Sequence, residues 1–311
     1  MEALSKSLEQ WMSNKNLHQQ MNATLERYLN DPFFQQWWQQ FPDWTKDDLT
    51  PFLTSIKEYV KEQQHCQGCG GLGQCQNLIR GHCAELTNYG QQIGNVYQPC
   101  HYYMKSQEEN KRENLIQSHH VPKDIMEGSL RLFDHQDQGR LDAFNAVMDF
   151  CLNTKPRESA IGLYLYGPLG VGKSFLLGAA CNKLAERGIA SYMVYTPDFF
   201  REMKGAIAEH KVDEKLQLLK EIPVLIFDDI GAETMSAWAR DEVLGSILQY
   251  RVMERLPTLY TSNYNYEQLE EHLAYSQKGG IEQLKAKRIM ERIRHYTDAY
   301  FVNGVNRRSR S

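Results

Sequence analysis

Gly167-Pro-Leu-Gly-Val-Gly-Lys173-Ser174 is the stretch on which the fold turns. It matches the pattern GxxxxGK[ST] in full, a glycine-rich turn whose backbone N–H groups can close on phosphate oxygens. Its surroundings fit the same reading. The run IGLYLY at 161–166 has the character of a strand, and FLLGAACNKLAER at 175–187 that of an amphipathic helix closed by Gly188. A helix entered from such a turn offers unpaired N–H groups and the positive end of its dipole to an anion. Lys173 is expected to hold the β- and γ-phosphates of a nucleoside triphosphate, ATP, and Ser174 to ligate Mg2+. Gly167, Pro168, Leu169, Gly170, Val171, Gly172 and Phe175 complete the expected nucleotide-binding loop.

Further strands lie on either side of this one. VLIFDD at 224–229 ends in two carboxylates: Asp228 suits the acid on the metal side, and Asp229 stands where many ATPases carry a Glu that orients the attacking water. An Asp is one methylene shorter, so slow hydrolysis is expected, with Glu233 as an alternative base. SYMVYT (191–196) leads through Pro197 into a helix. TLYTSN (258–263) ends on Asn263, whose amide could hold the attacking water or the γ-phosphate, a turn cap being its plainer use. AYFV (299–302) completes an expected five-stranded parallel sheet flanked by helices, an α/β fold with its ligand at the carboxyl ends of the strands.

The chain has 311 residues, of which 41% are hydrophobic and 24% charged, ordinary for a globular protein of about two domains. A net charge of -4 excludes a bulk polycation, so contact with nucleic acid needs a local basic patch. No run approaches the roughly 18 apolar residues of a membrane span, and the start of the chain lacks a signal-peptide pattern, so a cytoplasmic protein is expected. Residues 1–110 carry 8 Lys+Arg against 12 Asp+Glu, whereas the remainder is balanced. They also hold Trp11, Trp37, Trp38 and Trp44. Helical spacing runs over 5–30 and 46–64, with Leu49, Phe52, Leu53, Ile56, Tyr59 and Val60 on one face of the second. Between them, DPFFQQWWQQFPDW reads first as the core of a small domain and, more sharply, as an exposed aromatic surface for a protein partner, two readings that can hold together. The polar stretch 106–130 is expected to be a linker between domains at 1–105 and 131–311, with His119 and His120 most simply solvated in it and a metal or catalytic role as their lesser use.

Cys66, Cys69, Cys75, Cys83 and Cys100 place five thiols within 35 residues. The Cys66-x2-Cys69 pair, its turn eased by Gly68, Gly70 and Gly71, suits two sulfurs converging on one zinc ion. The spacing leaves open which of Cys75, Cys83 and Cys100, with His82 and His101 behind them, complete a structural tetrahedral site. A redox CxxC is the competing use. Cys151 and Cys181 fall in apolar helical patterns and are expected to be buried core thiols.

From Lys285 to Ser311 there are eight Lys+Arg and two acids. The plain reading is a solvated helix face with a charged tail. In KAKRIMERIRHY, Arg288 and Arg292 are one helical turn apart, and an arginine offered to a neighbouring subunit stabilises developing phosphate charge. The same stretch could also face single-stranded DNA.

Together GLYLYGPLGVGKSFLLGAACNKLAE, PVLIFDDIGAE, RDEVLGSILQYR, PTLYTSN and KRIMERI resemble the AAA+ ATPases of the bacterial replicative helicase-loader (DnaC/DnaI-like) group. The CxxC region with Cys100 beyond it is similar to the zinc-containing helicase-binding domain of such proteins. The resemblance implies an ATP-dependent loader that binds the hexameric replicative helicase through its N-terminal domain and helps deliver it onto single-stranded DNA in replication initiation or restart. It further implies self-association of an ATPase domain that binds single-stranded DNA. By position, Asp228 and Asp229 would be the Walker-B acids, Asn263 the sensor-1 residue, Arg288 or Arg292 the arginine finger and Arg307 the sensor-2 residue. Only 48 residues follow Asn263, too few for the large helical lid of many AAA+ proteins. A transposition-helper ATPase shares the core but not the cysteine-rich domain, and a small-molecule kinase would need an acceptor pocket and lid that the sequence does not signal.

Overall fold

The computed structural model describes residues 15–90, 92–134, 138–206, 212–276 and 280–307. The chain divides into two compact units, Met1–Glu109 and Asn110–Ser311.

In the first unit, helices α1 (Lys15–Leu29), α2 (Pro32–Trp38), α3 (Lys46–Leu49) and α4 (Leu53–Gln67) precede an antiparallel hairpin of β1 (His82–Asn88) and β2 (Ile93–Pro99). Asp31 caps α2 by accepting from the Phe33 N–H at 2.9 Å, with Pro32 at the first helical position. Pro51 lacks an N–H, so the periodic stretch 46–64 breaks into α3, a single 3-10 turn and α4, while Leu49, Ile56 and Val60 still share one buried face. The aromatic run is core: Phe34 and Trp37 are buried, Trp38, Phe41 and Trp44 pack around them, and the Trp37 indole donates to Leu86 O at 2.8 Å. No exposed aromatic surface forms there. Trp11 and the start of the expected first helix lie outside the described residues. Glu62, buried on α4, accepts from the Leu78 and Ala84 N–H groups at 2.9 and 2.7 Å and so ties the cysteine-bearing loop to β1.

The boundary between units falls inside α5 (His101–Asn114). The second unit continues with β3 (Ile116–His119), α6 (Lys123–Met126), α7 (Gln138–Asn153), β4 (Gly162–Tyr166), α8 (Lys173–Ala185), β5 (Ser191–Tyr195), α9 (Thr196–Ala206) and α10 (Val212–Glu221). Beyond them come β6 (Val224–Asp228), a π-helical segment (Ala239–Leu244) running into α11 (Gly245–Met253), β7 (Thr258–Ser262), α12 (Tyr266–Ala274), the short β8 (Tyr275–Ser276) and β9 (Gly280–Ile281), α13 (Gln283–His295) and β10 (Thr297–Phe301). The parallel sheet has the order β10-β4-β7-β6-β5-β3. Side chains alternate between its faces. Leu163, Leu165, Ile226 and Leu259 join the cluster under α7 and α8, while Tyr164, Leu225, Phe227 and Tyr260 join the one under α9 to α13. Both faces are therefore apolar, as a covered parallel sheet requires.

Two expectations are corrected. The sheet has six strands rather than five, and the stretch 106–130 is not an irregular linker. Its residues 116–119 pair in register with 191–194 as an edge strand. Asn182 Nδ2 donates to Met126 O and Gly128 O at 2.7 and 3.0 Å, fastening the segment after that strand to α8. With Gln117 and Ser118 exposed, β3 carries no alternating apolar signal, which is common at a sheet edge. No helix among the described residues is long and apolar enough to cross a membrane.

Arg251 on α11 is fully buried with no carboxylate beside it. Its guanidinium donates to the carbonyls of Leu219, Ile222 and Pro257 at 3.0, 2.7 and 2.7 Å and to Thr258 Oγ1 at 2.9 Å. It thus closes the end of α10, where carbonyls run out of helical partners. Burial pushes its pKa down to about 9, which leaves it cationic at neutral pH. Arg251→Met strands several buried carbonyls and is expected to lower stability by about 3 kcal/mol or more in urea unfolding. Arg251→Lys should recover only part of the loss, because one ammonium cannot span carbonyls from two segments.

Candidate nucleotide site

β4 runs into the loop and α8 leaves it. Gly167 and Gly172 take φ of 146° and 99°, conformations that favour glycine, and a side chain at Gly167 would strike Val302 O just beyond β10. The loop forms one wall of a cleft of about 480 Å³ that also takes in Ser174, Phe175, Asp228, Asp229 and Asn263. Lys173 is buried, and its ammonium donates to Gly167 O, Pro168 O and Asn263 Oδ1 at 2.8, 2.8 and 2.9 Å.

From that lysine a hydrogen-bonded chain crosses three strand ends. Asn263 Nδ2 donates to Asp229 Oδ1 at 3.0 Å, the Asp229 N–H to Thr261 Oγ1 at 2.8 Å, and the Thr261 hydroxyl to Asp228 Oδ1 at 2.6 Å. Asp229 adopts φ 57°, a left-handed conformation that Asp tolerates better than most residues and that turns its carboxylate back toward Asn263. Burial raises the Asp228 pKa, opposed by hydrogen bonds from Thr261 and Ser174. A buried carboxylate beside a serine hydroxyl supplies the hard oxygen donors that suit Mg2+.

Glu233 is not the alternative base. It is buried away from the cleft, accepts from the Gly231 N–H at 2.9 Å, and its other oxygen stands 4.0 Å from His272 Nε2. Burial pushes its pKa up to about 7.

Arg307 reaches the cleft from the far end of the chain: its N–H donates to Gly170 O at 3.0 Å and its guanidinium pairs with Asp134. Buried Arg140 donates to Val171 O and lies 4.3 Å over the Phe133 ring, so it holds the loop from behind. Arg288 and Arg292 lie outside this cleft. On α13 Arg292 donates to Gln249 Oε1 at 2.9 and 2.6 Å. Arg308 and Arg310 lie outside the described residues.

In the first unit, Cys66 lies in the last turn of α4 and Cys69 just beyond it. A reactive CxxC gains its acidity at a helix N-terminus, so this placement opposes the redox use. The Asn77 amide donates to Cys66 Sγ at 3.2 Å and the Gly81 N–H to Cys75 Sγ at 3.4 Å, bonds of the kind that support thiolate ligands. The Cys100 N–H donates to Gly81 O at 2.8 Å. The donor types are those zinc takes, but no three of the five sulfurs stand within 4.8 Å of one another.

The sequence model for the primosomal protein DnaI N-terminus matches residues 1–97, and that for the IstB-like ATP binding protein matches residues 124–311. The replicative helicase loader DnaI of Bacillus subtilis (strain 168) is 34% identical over 309 residues, 99% of each chain. The chain belongs to the DnaI family. Among solved structures, a DnaI crystal structure shares 45% identity and a TM-score of 0.56, covering 63% of this chain and 99% of that one. The DnaC helicase loader shares 25% identity and a TM-score of 0.50, covering 58% of this chain and 100% of that one.

In this DnaI-family chain the cleft also uses residues that motif spacing did not single out. Thr261 had a visible signal, a hydroxyl in the middle of a strand apolar on both sides. Asp134, Phe133 and Arg140 had none, because they come from the loop and helix ahead of β4, where no motif marks them.

Thr261→Val keeps the strand's shape but removes both hydrogen bonds that align the two acids. ATPase turnover is expected to fall at least about tenfold, with a smaller change in nucleotide affinity, checked by phosphate release and fluorescent-nucleotide titration. Glu233 predicts a pH dependence. An acid whose folded pKa exceeds its ordinary 4.5 binds more protons folded than unfolded, so stability declines as pH climbs from there toward about 7. Glu233→Gln should therefore gain stability relative to the parent between pH 5 and pH 8, read from paired urea midpoints.

Proposed function

We propose that this protein is an ATP-dependent loader that binds the hexameric replicative DNA helicase and helps deliver it onto single-stranded DNA during replication initiation or restart. The reading rests on the similarity to a replicative helicase loader along the whole chain, N-terminal unit included. The IstB-like family model covers residues 124–311, whereas residues 1–97 match the model of a DnaI N-terminus, which a transposition-helper ATPase does not account for. The protein acts in the cytoplasm, residues 1–105 take the helicase, and four ligands from Cys66, Cys69, Cys75, Cys83 and Cys100, or His82 in place of one, hold a structural zinc ion. The ATPase domain contacts single-stranded DNA and associates with copies of itself.

At the cleft, the loop N–H groups and Lys173 bind the β- and γ-phosphates, and Ser174 with Asp228 holds the metal. Held by Ser174 and Asp228, Mg2+ would supply charge neutralisation at the phosphates. Asp229, gripped by Asn263, orients the attacking water, and its short side chain keeps turnover low. Asn263 joins that acid to Lys173, so a change at the phosphate-binding ammonium reaches the water-orienting group through two hydrogen bonds. Arg307 answers phosphate charge from within the chain, and Arg288 or Arg292 answers it from a neighbouring subunit.

Full-length protein, Lys173→Ala and the fragment 1–105 would each be mixed with the replicative helicase, with and without zinc chelator, and the complexes weighed by light scattering on a sizing column. Lys173→Ala should lose ATP binding yet keep the helicase. The fragment should co-elute with a hexameric ring and release it on chelation, with loss of its circular-dichroism signal. If neither full-length protein nor fragment binds the ring, the loader reading is wrong.

A further inference from the structure

At the edge of the sheet, His119 at the end of β3 and His120 just beyond it converge on one carboxylate. His119 Nε2 lies 3.0 Å from Glu202 Oε2, and His120 Nε2 lies 2.5 Å from Glu202 Oε1. Neighbouring residues of an extended strand point to opposite faces, so two successive imidazoles cannot ordinarily meet one group. Here the backbone departs from the strand at His120, with φ 56°, and this brings the second ring back beside the first. The ring centroids stand 4.4 Å apart with their planes at 85°. One ligand atom from each of the three side chains falls within 4.8 Å of the others. Among the described residues no second set of three His, Cys, Asp or Glu side chains does the same. The nucleotide cleft makes no use of these residues.

We propose that His119, His120 and Glu202 bind a divalent transition-metal ion, with zinc as the natural fit, through two imidazole Nε2 atoms and one carboxylate oxygen, and with water completing the shell. Two imidazoles and a carboxylate suit zinc, cobalt or nickel and are a poor cage for Mg2+, which prefers all-oxygen surroundings. Coordination through Nε2 places each ring hydrogen on Nδ1. Lys215 Nζ, 3.1 Å from Glu202 Oε2, fits the supporting position: it holds the second carboxylate oxygen while Oε1 turns to the ion. The ion would cross-link the edge strand to α9, which follows directly from β5, whose last residue Tyr195 lines the nucleotide cleft.

The test counts ions in the full-length protein. Wild type, Glu202→Gln and His120→Asn are saturated with zinc, freed of excess on a desalting column, and measured for zinc per chain by inductively coupled plasma mass spectrometry. Asn tolerates the left-handed backbone at this position, and Gln keeps the shape of Glu202. Each variant is expected to hold one ion fewer than wild type while its circular-dichroism spectrum is unchanged. With cobalt in place of zinc, the signal lost in the variants should carry no thiolate charge-transfer band, which separates it from any ion on the cysteines. Equal ion counts in all three proteins, or a lost signal that bears the thiolate band, overturn the proposal.

Discussion

The position of β7 between β4 and β6 is the constraint from which the cleft follows. Its backbone pairs with both neighbours, Tyr166 opposite Ser262 on one side and Phe227 opposite Tyr260 on the other. That register sets the end of β7 level with the phosphate loop and with the paired acids. Thr261 can then bridge Asp228 and the Asp229 backbone, and the next residue but one, Asn263, spans Lys173 and Asp229. These polar groups lie at the end of a fully buried strand, where each must find a partner or cost the full desolvation of that group. Ser262 obeys the same rule by donating to Ile230 O at 2.6 Å. One packing arrangement satisfies all of them, so sheet order and site geometry are specified together.

Two buried arginines secure the helical layer in different ways. Arg251 relies on neutral acceptors, backbone carbonyls and the Thr258 hydroxyl. Arg240, in the π-helical segment, pairs with Asp241 at 2.7 Å and with Glu282 at 2.8 Å, and Lys285 joins both acids from α13. Fork-shaped donors suit both tasks, since a guanidinium can serve several acceptors in one plane. The second arrangement fastens the start of α11 to the start of α13, the helix that carries Arg288 and Arg292.

The loop, the four central strands and the acids were legible because each has a dense local pattern: glycines ahead of Lys173, apolar runs on either side, and carboxylates directly after VLIF. The aromatic core of the first unit was legible for the same reason. The edge strand was not, since Ile116–His119 has one apolar residue and gains its place only by pairing with β5. Glu233 was misjudged because closeness in sequence to Asp229 says nothing of direction. The chain turns at Gly231, and the carboxylate stands beside His272 of α12 and does not line the cleft. Asp134 and Arg140 belong to contacts made over long sequence separations, which no local window reveals.

The phosphate loop lies near the middle of the chain, yet Val302 O closes over Gly167 and the Arg307 N–H reaches Gly170 O. On the ribosome, residues 167–174 emerge long before the strand and tail that complete their surroundings. A nascent chain therefore has its phosphate-binding turn exposed without its back wall, and cannot hold nucleotide properly until β10 has paired with β4. The first unit, with its own core made entirely from earlier residues, faces no such wait. Synthesis thus yields the first unit before a complete nucleotide site, and the order of emergence separates the two in time.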